Sequence, residues 1–340
     1  MTDRVLLTGI SGFLGGHVAL ALLNAGYIVR GSVRSLSKAE KVKVTLARAG
    51  GDVSRLEFVE LDLLSDAGWA AAMAGVRYLQ HTASPFVTVM PKDKMDLIRP
   101  AVEGTHRAVS AALAAGVERL VVTSSLAAVM YGHDKARTAP FTAADWTNLA
   151  GRDVNAYTES KTRAEKEAWT LVDAAGRHDD LATINPGAIF GPLLDDDPGT
   201  SVGLLKRMFD GSLPAAARIS FISVDVRDVA AAHVAAMTAD AARGQRFVLG
   251  AGTRSLMEMA TVLKAALPEK AAKLPRFEVP DWVVRLVAFV DADIRGNVGE
   301  LGVVKTADAK PVETLLGRNL IPVDEALVAA ARTLVAHGIA

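Results

Sequence analysis

The chain has 340 residues, half of them hydrophobic, and its 38 Lys and Arg balance 38 Asp and Glu. Zero net charge offers no long-range field to recruit nucleic acid or an anionic membrane, and a chain without cysteine makes no disulfide, thiol nucleophile or Cys-type zinc site. The seven histidines lack ligand spacing, no run of about 18 apolar residues marks a membrane span, and the opening Met1-Thr2-Asp3-Arg4 leads straight into a strand without a targeting segment, so a metal-free cytoplasmic protein is expected.

Arg4-Val-Leu-Leu-Thr8 is a short apolar run of the kind that forms a buried parallel strand. Gly9-Ile-Ser-Gly12-Phe13-Leu14-Gly15-Gly16 follows it and leads into a helical stretch that ends near Gly26. Strand, glycine turn and helix start together make an anion site, because backbone N–H groups and the helix dipole converge there on a pyrophosphate. The spacing is G-x-x-G-x-x-G rather than G-x-G-x-x-G, and its position between strand and helix favours a bound dinucleotide over a plain tight turn.

The second strand, 27–33, carries the choice of cofactor. Folds that bind NAD place an acid about 20 residues past the glycine loop to hold the ribose hydroxyls, whereas here Arg34 stands at the strand end and Lys38 follows it. Two cations suit a 2′-phosphate, which Arg grips through two parallel hydrogen bonds, so NADP(H) is expected. Arg30 lies on the same strand, either sharing this role or facing solvent.

Further strands are expected at 56–60, 76–81, 118–123 and 181–185, with helices at 12–25, 37–49, 66–73, 94–115, 155–176 and 225–239. This alternation predicts an α/β fold, a doubly wound parallel sheet of the Rossmann type. After about 187, Pro192, Asp195-Asp-Asp-Pro198-Gly199, Gly211 and Pro214 mark loops, with short helices near 255–266, 281–292 and 323–336. On the helix after Asn155, Tyr157 and Lys161 are four residues apart and share a face. An ammonium one turn away lowers the pKa of a phenol, ordinarily about 10, and makes it a usable proton donor.

Thr8-Gly9-x-x-Gly12-x-x-Gly15 with Tyr157-x-x-x-Lys161 resembles the extended short-chain dehydrogenase/reductases. Val33-Arg34, Asp62-Leu63, His81-Thr-Ala-Ser-Pro85, Thr123-Ser124-Ser125, Asn185-Pro186-Gly187, Gly191-Pro192 and Val224-Asp-Val-Arg-Asp228 narrow the resemblance. They are similar to the dihydroflavonol reductase-like branch, which also holds cinnamoyl-CoA reductases and microbial aldehyde and ketone reductases. The resemblance implies a dinucleotide-binding domain over 1–186, with 218–250 returning to it, and a small substrate lobe from 187–217 and 251–340.

It also implies roles for individual residues. Thr8, Gly9, Gly12, Phe13, Leu14, Gly15, Arg34 and Lys38 would hold the cofactor, together with Asp62, Leu63, Thr82, Ala83, Ser84, Thr123, Tyr157, Lys161, Pro186 and Ile189. Read without the family, Asp62 is a turn residue or cap, His81 a packed strand-end residue and Pro186 a strand end. Ser125, rather than Ser124, would orient the carbonyl, because the oxygen that gains charge needs a positioned donor. Tyr157 would give the proton and Lys161 would tune it.

Phe86, Met90, Met130 and Phe190 are the expected substrate contacts, on apolar segments that also include Met208-Phe209. An apolar lining with few Arg favours a hydrophobic aldehyde or ketone over a sugar nucleotide. The alternatives are a nucleotide-sugar epimerase or dehydratase with bound NAD, and a non-catalytic NADP sensor. A small-molecule carbonyl partner, and a monomer or homodimer, complete the expectation.

Overall fold

Apolar runs of four to six residues bounded by glycine and polar turns become strands, and the alanine-rich stretches between them become helices. The computed structural model describes residues 3–84, 93–289 and 298–340. In chain order its main elements begin with β1 (Arg4–Thr8), α1 (Phe13–Asn24), β2 (Ile28–Val33), α2 (Ala39–Arg48), β3 (Leu56–Glu60), α3 (Trp69–Met73) and β4 (Tyr78–His81). Then come α4 (Met95–Ala114), β5 (Arg119–Thr123), α5 (Ala156–Ala174), β6 (Leu181–Pro186), β7 (Ala188–Phe190), α6 (Gly199–Asp210), β8 (Ser220–Asp225) and α7 (Val226–Thr238). The chain ends with β9 (Gln245–Leu249), β10 (Gly252–Ser255), α8 (Leu256–Ala266), α9 (Asp281–Val287), α10 (Lys310–Leu316) and α11 (Val323–Ala336).

Seven strands form one parallel sheet in the order β3-β2-β1-β4-β5-β6-β9. Val18 and Leu22 of α1 and Val229 and Ala236 of α7 bury one face together with Val5, Val29 and Ile184. Ala108 and Val109 of α4 and Ala168 and Val172 of α5 bury the other with Leu79, Leu120 and Leu181. Helices on both faces of a parallel sheet define the doubly wound class, in which the reversal of strand order beside β1 opens a crevice at the strands' C-terminal ends.

The loop signals after 187 conceal more structure than the sequence suggests. α6 forms directly behind Asp195-Asp-Asp-Pro198, although Gly199, Thr200, Ser201 and Gly203 are poor helix formers. Val202, Leu205, Met208 and Phe209 fall at helical spacing and are buried against Phe190, Leu263, Leu327 and Leu334, so tertiary packing overrides propensity. β8 does not return to the main sheet. It sits between β7 and β10 in a separate three-stranded sheet, while α7 and β9 do return. The helix expected at 281–292 is formed over Asp281–Val287 with Ala288 as its C-cap, and residues 290–292 lie outside the described residues. No helix among the described residues is long and apolar enough to cross a membrane.

Candidate active site

Two loops meet at the point where strand order reverses. Gly9 has φ +75°, a conformation that glycine adopts freely, and a Cβ there would lie 2.9 Å from the Ala83 backbone. A Cβ on Gly15 would lie 2.0 Å from the Gly9 carbonyl oxygen, so the start of α1 packs directly on the turn. Gly12 caps α1 without a side-chain acceptor, and no acid stands in the first turn. The amides of Phe13, Leu14 and Gly15 therefore open the helix without a side-chain cap, as an anion site requires. Beside them Thr8 Oγ1 pairs with His81 Nδ1 at 2.9 Å and accepts from Ala83 N at 3.2 Å, while Thr82 Oγ1 donates to Thr8 O at 2.6 Å. Thr82 and Ala83 are thus laid against the glycine turn, with Ser84 next in the chain.

β5 and α5 bring the remaining groups to the same edge. Asn155 opens α5 with a capping box: Thr158 N donates to Asn155 Oδ1 at 3.0 Å and Asn155 N donates to Thr158 Oγ1 at 2.9 Å. Such a cap is worth about 1 kcal/mol, and it fixes the turn that carries Tyr157. Ser125 faces the Tyr157 hydroxyl closely enough to pull the phenol's pKa down. Ser125 Oγ also accepts from Ala127 N at 3.1 Å, which orients the serine oxygen. Ser124 points elsewhere, its Oγ donating to the buried Glu165 at 2.5 Å. Of the two serines, Ser125 is the one that meets the tyrosine.

The electrostatics differ from the spacing argument. Tyr157 keeps 37% of its surface exposed within the cleft, yet surrounding atoms desolvate its phenol enough to push its pKa up, with Ser125 pulling the other way. Burial, and not the Lys161 charge, sets the direction of the shift. Lys161 is itself desolvated and its pKa falls to about 8. Burial first, then the Lys161 charge, pushes His81 down to about 4. The Lys161 charge is thus felt at the end of β4. His81 is a neutral, packed strand-end residue, as expected.

The expected cofactor residues separate into groups. Arg34 and Lys38 are exposed just past β2. Arg30 neither joins them nor faces solvent: it is bonded to Glu57 at 3.1 Å and to the Ala72 and Ala74 carbonyls at 2.7 and 2.9 Å. Asp62 Oδ1 accepts from Leu64 N at 2.9 Å, a turn contact, and Leu63 packs over Gly104. The Thr123 hydroxyl pairs with His233 Nε2 at 2.9 Å and is turned toward α7. Pro186 ends β6 in a buried position, and Ile189 on β7 is half-buried against the core.

The substrate residues fare differently. Phe190 is 0% exposed, and Met208 and Phe209 share its cluster, so all three are core residues rather than walls of an open cleft. Their apolarity has packing as its cause. Phe86 and Met90 lie outside the described residues. Met130 is half-buried and lines a depression with Phe141, Asp153, Glu300 and Lys305, where charges stand among the apolar groups. Lys305 Nζ donates to both Glu300 oxygens at 2.9 Å and lies 4.2 Å from the centre of the Tyr131 ring. Among the described residues no cluster of three or more His, Asp or Glu offers a metal site.

Residues 5–250 match the family described as the NAD dependent epimerase/dehydratase family. A ketoreductase of Aspergillus niger is 32% identical over 299 residues, 83% of this chain and 87% of that protein. A cinnamoyl-CoA reductase of Medicago truncatula is 34% identical over 281 residues, 79% of this chain and 83% of its own length. Among solved structures, a yeast methylglyoxal/isovaleraldehyde reductase complexed with NADPH superposes with a TM-score of 0.78 at 25% identity, covering 99% of this chain and 100% of that one. The parallel sheet, the glycine turn and the Ser–Tyr–Lys edge define a dinucleotide-dependent α/β enzyme class. Within it, the chain belongs to the NAD dependent epimerase/dehydratase family, on the side of its dihydroflavonol reductase-like members.

Proposed function

We propose that the chain reduces an aldehyde or ketone to the alcohol with NADPH. The observation that carries this reading is the approach of the Ser125 and Tyr157 hydroxyls at the C-terminal edge of the sheet, with Lys161 one helical turn on along α5. The relatives named as ketoreductase and cinnamoyl-CoA reductase, and the reductase solved with NADPH, support it.

The residues present fit the cofactor. The Gly9–Gly15 turn is too tight for a Cβ at Gly9 or Gly15, and its uncapped helix start suits a pyrophosphate. Thr8, Thr82, Ala83 and Ser84 flank that turn, Arg34 and Lys38 would hold the 2′-phosphate, and Asp62 and Leu63 would stand beside the adenine. Pro186 and Ile189 would border the nicotinamide, with the Thr123 backbone at the strand end. NADPH, when bound, supplies the hydride. Ser125 holds the carbonyl oxygen, and Tyr157 adds the proton as charge develops there. The raised phenol pKa keeps Tyr157 protonated at neutral pH, the form that donates. Lys161 places a positive charge in the crevice and positions the ribose.

With Phe190 in the core and charges beside Met130, substrate preference rests on assay. Purified protein is expected to consume NADPH in stoichiometric amounts with a panel of aldehydes and ketones. The reading fails if the panel gives no turnover while a nucleotide sugar is converted without net NADPH loss. The cofactor is tested separately. Arg34→Ala is expected to raise the KM for NADPH by about 10- to 150-fold, the equivalent of about 1.5–3 kcal/mol for a charge-assisted hydrogen bond, and to leave the KM for NADH unchanged. Equal use of both cofactors by the unaltered protein would contradict the 2′-phosphate assignment.

A further inference from the structure

We infer that Glu165 is a positioning residue for Ser125, acting through Ser124 and Asn185; the inference rests on the carbonyl reduction proposed above. Glu165 lies on α5 four residues past Lys161 and eight past Tyr157, so all three share one helix face. It is 1% exposed, and a carboxylate taken out of water persists when it is paired and its oxygens are hydrogen-bonded. Arg246 Nε supplies the countercharge, 2.6 Å from Oε1. Arg246 is held in turn by the Ala143 and Asp145 carbonyls and by stacking on Trp146 at 3.7 Å.

The hydrogen bonds that complete this buried carboxylate come from the turn that carries Ser125 and from the strand beside it. Glu165 Oε2 accepts from Ser124 Oγ at 2.5 Å and from Asn185 Nδ2 at 2.6 Å, and Oε1 accepts from Thr183 Oγ1 at 3.1 Å. Asn185 Nδ2 also reaches the Ser125 carbonyl at 3.4 Å, the long end of the hydrogen-bond range. Ser124 N donates to Ile184 O at 2.7 Å. The peptide that carries Ser125 is therefore gripped on both sides, by the sheet through Ser124 N and by one carboxylate through Ser124 Oγ and Asn185. Ser125 Oγ, already fixed by the Ala127 amide, then meets Tyr157. Displacing a catalytic group by about 1 Å lowers rates by about 100-fold, so smaller shifts of this turn matter.

In Glu165→Gln the shape is kept, but the donor Arg246 Nε holds the amide oxygen on its own side, so the amide nitrogen faces Ser124 Oγ and Asn185 Nδ2 and can accept from neither. Turnover is expected to fall about tenfold at saturating substrate, with the KM for NADPH within about twofold of the unaltered value. Because the substitution also leaves Arg246 without its countercharge, Glu165→Leu/Arg246→Met, which offers Ser124 and Asn185 no acceptor in any orientation, is measured beside it. That pair is expected to recover Tm but not kcat, whereas a merely structural role predicts that both recover together. Ser124→Ala, which leaves the ion pair in place, is expected to lower kcat severalfold with Tm little changed. Crystal structures give a readout independent of activity: the Ser125 and Tyr157 hydroxyl oxygens should stand further apart in Glu165→Gln than in the unaltered protein. An intact hydroxyl pair with kcat restored in the double variant overturns the inference. Failure of the unaltered protein on every carbonyl compound, with the hydroxyl pair responding as expected, overturns the reductase reading instead.

Discussion

Tyr157→Phe is expected to lower kcat for carbonyl reduction by about 1,000-fold, while NADPH affinity, read by quenching of protein fluorescence, stays within about twofold. Removing a positioned proton donor typically costs 100- to 10,000-fold, and Phe retains the ring that packs at the start of α5. The Asn155 capping box does not involve the phenol, so the helix is expected to stay in place. Ser125→Ala removes the other member of the hydroxyl pair, and residues acting as a unit are not additive. The double variant Ser125→Ala/Tyr157→Phe is therefore expected to be little worse than Tyr157→Phe alone. If Tyr157→Phe kept a tenth or more of the activity, the proton would have to come from elsewhere. Additive losses in the double variant would separate the two hydroxyls that the structure joins.

Elements whose cause is local were legible in the sequence. β1, β5 and β6 fall at apolar runs because a central parallel strand is buried on both faces, while β3, at the sheet edge, interleaves apolar residues with Glu57 and Glu60 and is legible by that pattern instead. The Gly9–Gly15 turn was legible because backbone contacts as close as 2.0 Å to a would-be Cβ leave glycine as the residue that fits. Helical spacing gave Tyr157 and Lys161 a common face. What needed partners was hidden. β7, β8 and β10 are three to six residues long, and α6 begins among poor helix formers, so packing decides them. The same argument moves Phe190 from cleft to core, since an apolar residue after a strand reads alike in both. Arg30 looked like a spare cation because Glu57, which ties it down, is on the neighbouring strand. Asn185 stood in a quoted motif without a role, and Glu165 had none, although its place four residues beyond Lys161 is a signal that spacing alone could supply.

Lys161→Met is expected to cut kcat/KM by about 100- to 1,000-fold and, at pH 7, to raise Tm by about 2–4 °C. Burial holds the Lys161 ammonium at about 8, against about 10.4 for an unburied lysine. Between those values the unfolded chain binds more protons than the folded one, so this residue makes stability rise with pH across that window. Below pH 8 the lysine is charged in both states and the desolvation penalty on the fold is present in full. Methionine fills the apolar path of the lysine stem without that charge, so the gain in Tm is expected at pH 7 and should shrink toward pH 10.5. Stability surrendered at a functional position is a common trade. The same ionisation should be visible in function. For the unaltered protein, kcat/KM for NADPH is expected to fall through about pH 8 as the crevice loses its positive charge, and Lys161→Arg should push that fall to higher pH. A lower Tm for Lys161→Met at pH 7 would mean that the ammonium supports the fold rather than straining it, and a flat pH profile up to pH 9 would take the charge out of cofactor binding.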